Sequence, residues 1–279
     1  MLIHRLKGVY IMSFKNSAWF NLNEIKDGVW FISDKTGANC YLVEGETKSL
    51  LIDTGWGLAN LSDLVGSITS LPINVVFTHG HPDHVNGAFQ FSDLYIKSED
   101  VKLMEMFYIK ETRKQIINRF KEILPSDFSI YDWVNAQITN PSPVSDGYIF
   151  DLGNRKLKVI ECPGHTAGSI CLLDIRDETL FSGDSLLAKP VLMNLETSMG
   201  LKTYLKSIKH INTFADDFNI ILSGHDDKPV DPIVIGELIS GVSDIIQGKI
   251  EGKIEKTRFG DALAYKFEHT AINYNEEGL

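Results

Sequence analysis

Eight histidines occur in the chain, His4, His79, His81, His84, His165, His210, His225 and His269, and three of them fall within the six residues His79-Gly-His-Pro-Asp-His84. Neutral imidazole is the commonest protein ligand for a metal, and a carboxylate beside it completes a donor set for zinc or a similar divalent ion. A lone histidine is usually a hydrogen-bonded core residue. Three with an interleaved aspartate match by chance with odds on the order of 10⁻³ for a chain of this composition, so the ligand reading prevails. Four other segments repeat one device, an apolar run ending in a glycine-containing turn. They are Leu51-Ile-Asp53-Thr-Gly55, Pro163-Gly-His165-Thr-Ala-Gly-Ser169, Phe181-Ser-Gly-Asp184-Ser185 and Leu222-Ser-Gly-His225-Asp226. Each alone is an ordinary strand-to-turn junction; together with the histidine cluster they point to metal-assisted hydrolysis. No GxSxG elbow, P-loop or dinucleotide fingerprint offers rival chemistry.

The elements that must carry these residues read as an α/β alternation. Val29–Ser33, Cys40–Glu44 and Ser49–Asp53 have strand character, with Gly45-Glu-Thr-Lys turning the second into the third. Leu58–Leu71 has helical spacing, and Ile73–Phe77 is a compact apolar run that reads as a buried strand. The histidine cluster follows it directly, on a loop at a strand's C-terminal end, where sheets flanked by helices place their active sites. Gly80 and Pro82 are expected to keep that segment out of regular helix. A second block follows: Tyr148–Leu152 with Lys156–Glu161, Ser169–Asp174 with Thr179–Ser182, a helix over Leu201–Phe214, a strand at Ile220–Leu222, a helix over Ile233–Gln247, and a terminal strand pair, Ala262–Phe267 with Ala271–Tyr274. Between the blocks, Ser98–Leu124 is the longest helical stretch, with Ser98 as its N-terminal cap. Its apolar clusters, Val101, Met104, Phe107 and Tyr108, then Ile116, Ile117, Phe120 and Leu124, flank the polar run Lys110–Lys114. Either they pack into the core or they cap an active site.

Acidic residues outnumber basic ones 37 to 27, which argues against a broad surface for nucleic-acid phosphates. Three scattered cysteines, Cys40, Cys162 and Cys171, form no CxxC pair and read as small buried hydrophobes in a reducing compartment. The N-terminal apolar run is broken by Ser13, Lys15 and Asn16, so no signal peptide is read there. No apolar stretch is long enough to span a bilayer. These features lead to the expectation of a cytoplasmic protein with a small-molecule substrate, no nucleic-acid partner and no membrane partner; oligomeric state is not written in the chain.

The ordered set His79-x-His81-x-Asp83-His84, His165, Asp184 and His225, with the early Asp53-Thr-Gly turn, resembles the metallo-β-lactamase superfamily over about residues 29–225. The resemblance implies an α/β fold, an αββα sandwich of two mixed β-sheets flanked by helices. It implies a single metallo-hydrolase domain over residues 1–279, with a helical insertion at about 98–140 capping the active site. One metal would be held by His79, His81 and His165, the second by Asp83, His84 and His225, with Asp184 bridging and Asp53 orienting a ligand imidazole from behind. The cofactor is then two divalent ions, zinc by its frequency, with iron and manganese compatible with the same donors. A hydroxide bridging the ions would be the nucleophile, with Asp83 as catalytic residue orienting it and passing a proton to the leaving group.

The ligand set narrows the branch. True β-lactamases of the superfamily lack the bridging aspartate, and the flavodiiron branch carries glutamate at the position of His81. A thioester hydrolase similar to hydroxyacylglutathione hydrolase, or a lactonase, fits the donors. The glutathione-binding segment of the first is not recognisable, and the tyrosine of the second, expected soon after Asp184, is absent, leaving Tyr108 or Tyr204 as substitutes. Leu186, Leu187, Val191, Leu192 and Met193 either line a small acyl pocket or pack on their own core. The reading is therefore a metal-dependent hydrolase of a small thioester or lactone. The alternatives are a phosphodiesterase on the same dinuclear site, a mononuclear-iron persulfide dioxygenase and a non-enzymatic metal-binding protein.

Overall fold

In the computed structural model, Asn39–Glu44 and Ser49–Ile52 lie at the centre of a mixed sheet because most of their residues are apolar and all but Glu44 are buried. The structure describes the backbone of residues 5–6 and 9–10 and all of residues 19–279; the expectation about a signal peptide falls outside the described residues. The chain forms two compact units, residues 1–144 with 150–155, and residues 145–149 with 156–279.

Among the described residues of the first unit the sheet has seven strands, in the order Phe20–Lys26, Val29–Asp34, Asn39–Glu44, Ser49–Ile52, Ile73–Val76, Leu94–Lys97 and Ser142–Val144. The first four run antiparallel to their neighbours, and from Ser49–Ile52 onward the pairs are parallel. Parallel strands need a crossover connection, and helix Leu61–Ile68 supplies one between Ser49–Ile52 and Ile73–Val76. Asn60 caps that helix by accepting from the Asp63 N–H, and Leu61, Leu64 and Val65 face the core with Leu42, Leu51, Val75 and Ile96. Gly45 is required at its turn, because a Cβ there would lie 2.3 Å from the Leu152 carbonyl oxygen.

In the second unit, Lys156–Glu161, Ile170–Asp174, Thr179–Gly183 and Ile220–Ser223 are neighbours in that order in one sheet, the last pair parallel. A further sheet orders Pro190–Met193, Ala271–Tyr274, Gly260–Lys266 and Lys253–Thr257. Helices Leu201–Asn212 and Ile233–Ile246 bury Tyr204, Ile208, Leu238 and Val242 in one core with Ile160, Cys171, Leu180 and Ile272. At 14 residues, Ile233–Ile246 is the longest helix among the described residues, and none there is long and apolar enough to cross a membrane. All three cysteines are buried and none is in a disulfide, as their reading as small hydrophobes anticipates.

Two expectations change. Ser98–Leu124 is not the longest helical stretch: a 3-10 turn at Ser98–Asp100 leads into helices Val101–Met106 and Lys110–Ile117, broken at Phe107–Ile109. Ser98 does not cap, and the Asp100 side chain turns instead to accept from the Gly80 N–H. The helices bury different faces: Met104 enters the sheet core, whereas Ile116 and Ile117 join Trp56, Leu58, Trp133 and Val134 in a separate aromatic cluster. Strands Phe20–Lys26, Leu94–Lys97, Ser142–Val144, Pro190–Met193 and Lys253–Thr257 lack a readable pattern because they are short, partly exposed or edge strands fixed by their partners.

Gly66 sits within helix Leu61–Ile68, and a Cβ there would meet no atom within 4 Å. Gly66→Ala is therefore expected to stabilise the protein by about 0.5–1 kcal/mol, read as a raised midpoint in urea denaturation. A lowered midpoint would contradict this placement of the helix.

Candidate metal centre

Asp53 ends strand Ser49–Ile52, and its N–H still donates to the Val76 carbonyl at 2.9 Å, extending the parallel ladder past the last residue. Its backbone then turns to φ +61°, a region that aspartate tolerates better than most side chains. That turn buries the carboxylate. Oδ1 accepts from the Thr78 N–H and Oδ2 from the Thr78 hydroxyl, both at 2.8 Å, and Oδ2 also lies 2.8 Å from Nδ1 of His84. A buried carboxylate is stable only with such donors. An imidazole donating Nδ1–H to it presents Nε2 as the ligand atom, the usual arrangement behind a metal-bound histidine.

His79, His81 and His84 are all buried, and the His79 ring centre lies 4.8 Å from that of His81 and 4.0 Å from that of His84. The Thr78 hydroxyl is 3.2 Å from Nδ1 of His79, so this ring too is held from its rear. Against expectation, the segment does contain helix: Pro82–Val85 forms a single turn with Pro82 at its first position. Proline is favoured there, since its missing N–H would have no helical partner and its φ is already helical. The turn raises Asp83 and His84 together, with Asp83 Oδ1 4.0 Å from His84 Nε2. It also packs against the Asp53-Thr54-Gly55 segment backbone to backbone. Thr54 donates its N–H and hydroxyl to the His84 carbonyl, at 2.8 and 2.9 Å. A Cβ on Gly87 would lie 2.3 Å from the Thr54 carbonyl oxygen.

The second unit holds the remaining three residues. His165 follows strand Lys156–Glu161, and its Nδ1 lies 2.8 Å from the Leu192 carbonyl, so Nε2 is again the presented nitrogen. Asp184 follows Thr179–Gly183 after a register shift, with Gly183 at φ +50°. Its Oδ2 stands 3.5 Å from His165 Nε2 and 3.3 Å from His225 Nε2. Charge-assisted hydrogen bonds are shorter, about 2.7–2.9 Å. Two donors bound to one tetrahedral cation at about 2.0–2.1 Å sit about 3.3 Å apart, which is the observed spacing. His225 is carried on a loop tied down by Asp226, whose carboxylate accepts from Ser223 Oγ and from the N–H groups of Ala188 and Lys189.

All seven expected donors are thus clustered within their own units: His79, His81, Asp83 and His84 in the first, and His165, Asp184 and His225 in the second. Their imidazole and carboxylate chemistry fits divalent cations, and histidine–aspartate groups able to hold a metal ion occur among the described residues. Two secondary expectations fail. Tyr204 is buried and donates its hydroxyl to the Ser185 carbonyl at 2.7 Å, with burial pushing its pKa well up. Tyr108 donates to the Val85 and Asn86 carbonyls at 2.9 and 3.1 Å, and burial raises it to about 12. Neither hydroxyl is placed to serve a reaction. Leu186, Leu187, Val191 and Met193 pack into the core of the second unit, and Leu192 contributes its carbonyl to His165. Sequence reasoning missed Thr54 and Thr78, whose only signal is their place beside strand ends.

Comparison with known proteins shows the family and the fold. A model of the metallo-beta-lactamase superfamily matches residues 34–225. The chain is 30% identical over 184 residues to the bovine (Bos taurus) acyl-coenzyme A thioesterase MBLAC2, a match covering 60% of this chain and 66% of that protein, just under two thirds. It is 25% identical over 155 residues to the atrochrysone carboxyl ACP thioesterase nsrC of Aspergillus novofumigatus, covering 54% of this chain and 39% of the relative. The solved metallo-beta-lactamase from Pontibacter korlensis aligns with a TM-score of 0.60 at 19% identity, over 81% of this chain and 99% of that one, and so shares the fold.

Gly87→Ala is expected to act oppositely to Gly66→Ala. Its methyl would force the Thr54 backbone away from the histidine turn, lowering stability by about 1–3 kcal/mol in the same urea titration. Wild-type stability would show that the close approach is not required.

Proposed function

Because the chain belongs to the metallo-β-lactamase superfamily, we propose that it is a metal-dependent acyl-thioester hydrolase with two divalent cations. In this reading His79, His81 and His165 hold one cation, Asp83, His84 and His225 hold the other, and Asp184 serves both. The observation that carries it is the position of Asp184 Oδ2, 3.5 and 3.3 Å from two imidazole nitrogens, a spacing suited to shared cations. The orientation of His84 by Asp53 and of His165 by the Leu192 carbonyl supports it, since each fixes the coordinating nitrogen before any ion arrives.

When bound, such cations polarise an acyl carbonyl and bring the pKa of water toward about 7. The chain's own groups do the rest. The Asp83 side chain, 16% exposed beside a fully buried His84, is the more open carboxylate and is assigned to orient the attacking water and take its proton. The leaving group explains the choice of bond. A thiol with a pKa of about 8.5 departs as thiolate without a strong acid, whereas an alkoxide needs one. The hydroxyls of Tyr108 and Tyr204 are committed to backbone carbonyls. Thioester cleavage suits a site so equipped, and the thioesterases among the relatives favour it over lactone or phosphodiester cleavage.

Metal analysis of the purified protein is expected to find two ions per chain, with zinc first among the candidates; one iron per chain would instead favour the dioxygenase chemistry. Assayed against acyl-CoA thioesters, lactones and bis-p-nitrophenyl phosphate, the protein should prefer thioesters, and activity on the phosphodiester alone would overturn the assignment. Asp184→Ala should lower thioester turnover more than about 100-fold, beyond the loss typical of an outer residue, while circular dichroism stays native. Retained turnover would refute the shared role of Asp184.

A further inference from the structure

Arg113 lies in the middle of the polar run Lys110–Lys114, yet it is fully buried. Its guanidinium carbon stands 4.0 Å from the Trp133 ring centre, 4.3 Å from that of Tyr108 and 5.6 Å from that of Phe89. No carboxylate meets it among the described residues. Nη2 donates to the Asn86 carbonyl at 3.3 Å, whereas Nε and Nη1 have no hydrogen-bond partner there. Burying a cation in this way is expensive, and aromatic faces offset only part of the cost. A residue needed for packing alone would be aliphatic.

The backbone carbonyl that Arg113 reaches is informative. Asn86 closes the turn Pro82–Val85, which carries Asp83 and His84. Four residues are too few to hold a helix by themselves, and the carbonyls at its C-terminal end have no helical partners. Each of the last three is held from outside. Thr54 takes the His84 carbonyl, the Tyr108 hydroxyl is shared between those of Val85 and Asn86, and Arg113 adds a second bond to Asn86. Tyr108 stands at the break between Val101–Met106 and Lys110–Ile117, so the interruption of the helical stretch is what brings both groups to the turn.

We infer that Tyr108 and Arg113 are positioning residues for the metal centre: they clamp the carbonyl end of the Pro82–Val85 turn and thereby fix where Asp83 and His84 present their donor atoms. The inference rests on the proposed metal reading and gives the inserted helices a task in the free protein, before substrate arrives.

The test uses the full chain, stripped of metal and titrated with zinc against a chromophoric chelator, and with cobalt followed by its visible absorption. Tyr108→Phe keeps the ring over the guanidinium and removes only the hydroxyl; Arg113→Met removes the charge and its hydrogen bond. Each is expected to weaken zinc binding about 10–100-fold and to alter the cobalt spectrum, with Arg113→Lys restoring part of the affinity. Ile116→Ala, in the neighbouring aromatic cluster, should lower the melting temperature and leave zinc affinity unchanged. If Arg113→Met fails to fold, Tyr108→Phe decides. Two ions bound by Tyr108→Phe with wild-type affinity and spectrum would overturn this inference alone, as would an equal loss in Ile116→Ala. Failure of the wild-type protein to take up zinc or cobalt would overturn the metal reading with it.

Discussion

The carboxylate of Asp53 ties together the ends of two neighbouring parallel strands and the histidine turn that follows them. It accepts from the Thr78 backbone, from the Thr78 hydroxyl and from Nδ1 of His84, all at 2.8 Å. A buried carboxylate with its acceptor sites so filled has no second arrangement of comparable energy, because any shift leaves a donor or the charge unsatisfied. Much else in the first unit follows from keeping it in place. Asp53 holds a positive φ, Thr54 donates twice to the His84 carbonyl, and Gly87 lets the two backbones meet. The parallel pairing of Ser49–Ile52 with Ile73–Val76 puts both strand ends at the same edge, where loops gather.

The second unit reaches the same end by different means. There a backbone carbonyl, that of Leu192, orients His165, and a register shift beside Gly183 turns the chain so that the Asp184 carboxylate faces two imidazoles. Leu192 is placed by pairing of Pro190–Met193 with Ala271–Tyr274, so a strand pair remote from the histidines in sequence decides which nitrogen His165 offers. Side chains held in this way would lose little freedom on binding a cation.

The inserted helices show a cost accepted for position. Val101–Met106 and Lys110–Ile117 are each too short to persist alone. They are held by Met104 in the sheet core and by an aromatic cluster around Trp56 and Trp133. Placing a cation within those rings, in contact with the carbonyl end of the histidine turn, adds a burden that packing does not require. Polar groups buried at such expense mark the parts of a fold shaped by function.

The identity and order of the candidate donors, their location near strand ends and the α/β alternation were legible in the residues themselves. Such features depend on residue type and on neighbours a few positions away: three imidazoles and a carboxylate within six residues mean the same chemistry wherever the chain goes. Tertiary structure decided the rest. It set Pro82 at the start of a helical turn, engaged the hydroxyls of Tyr108 and Tyr204, sent Leu186, Leu187, Val191 and Met193 into a core and buried Arg113 out of a polar run. Each of those outcomes turns on groups supplied from other stretches of chain, and local spacing carries no record of which groups folding will bring there.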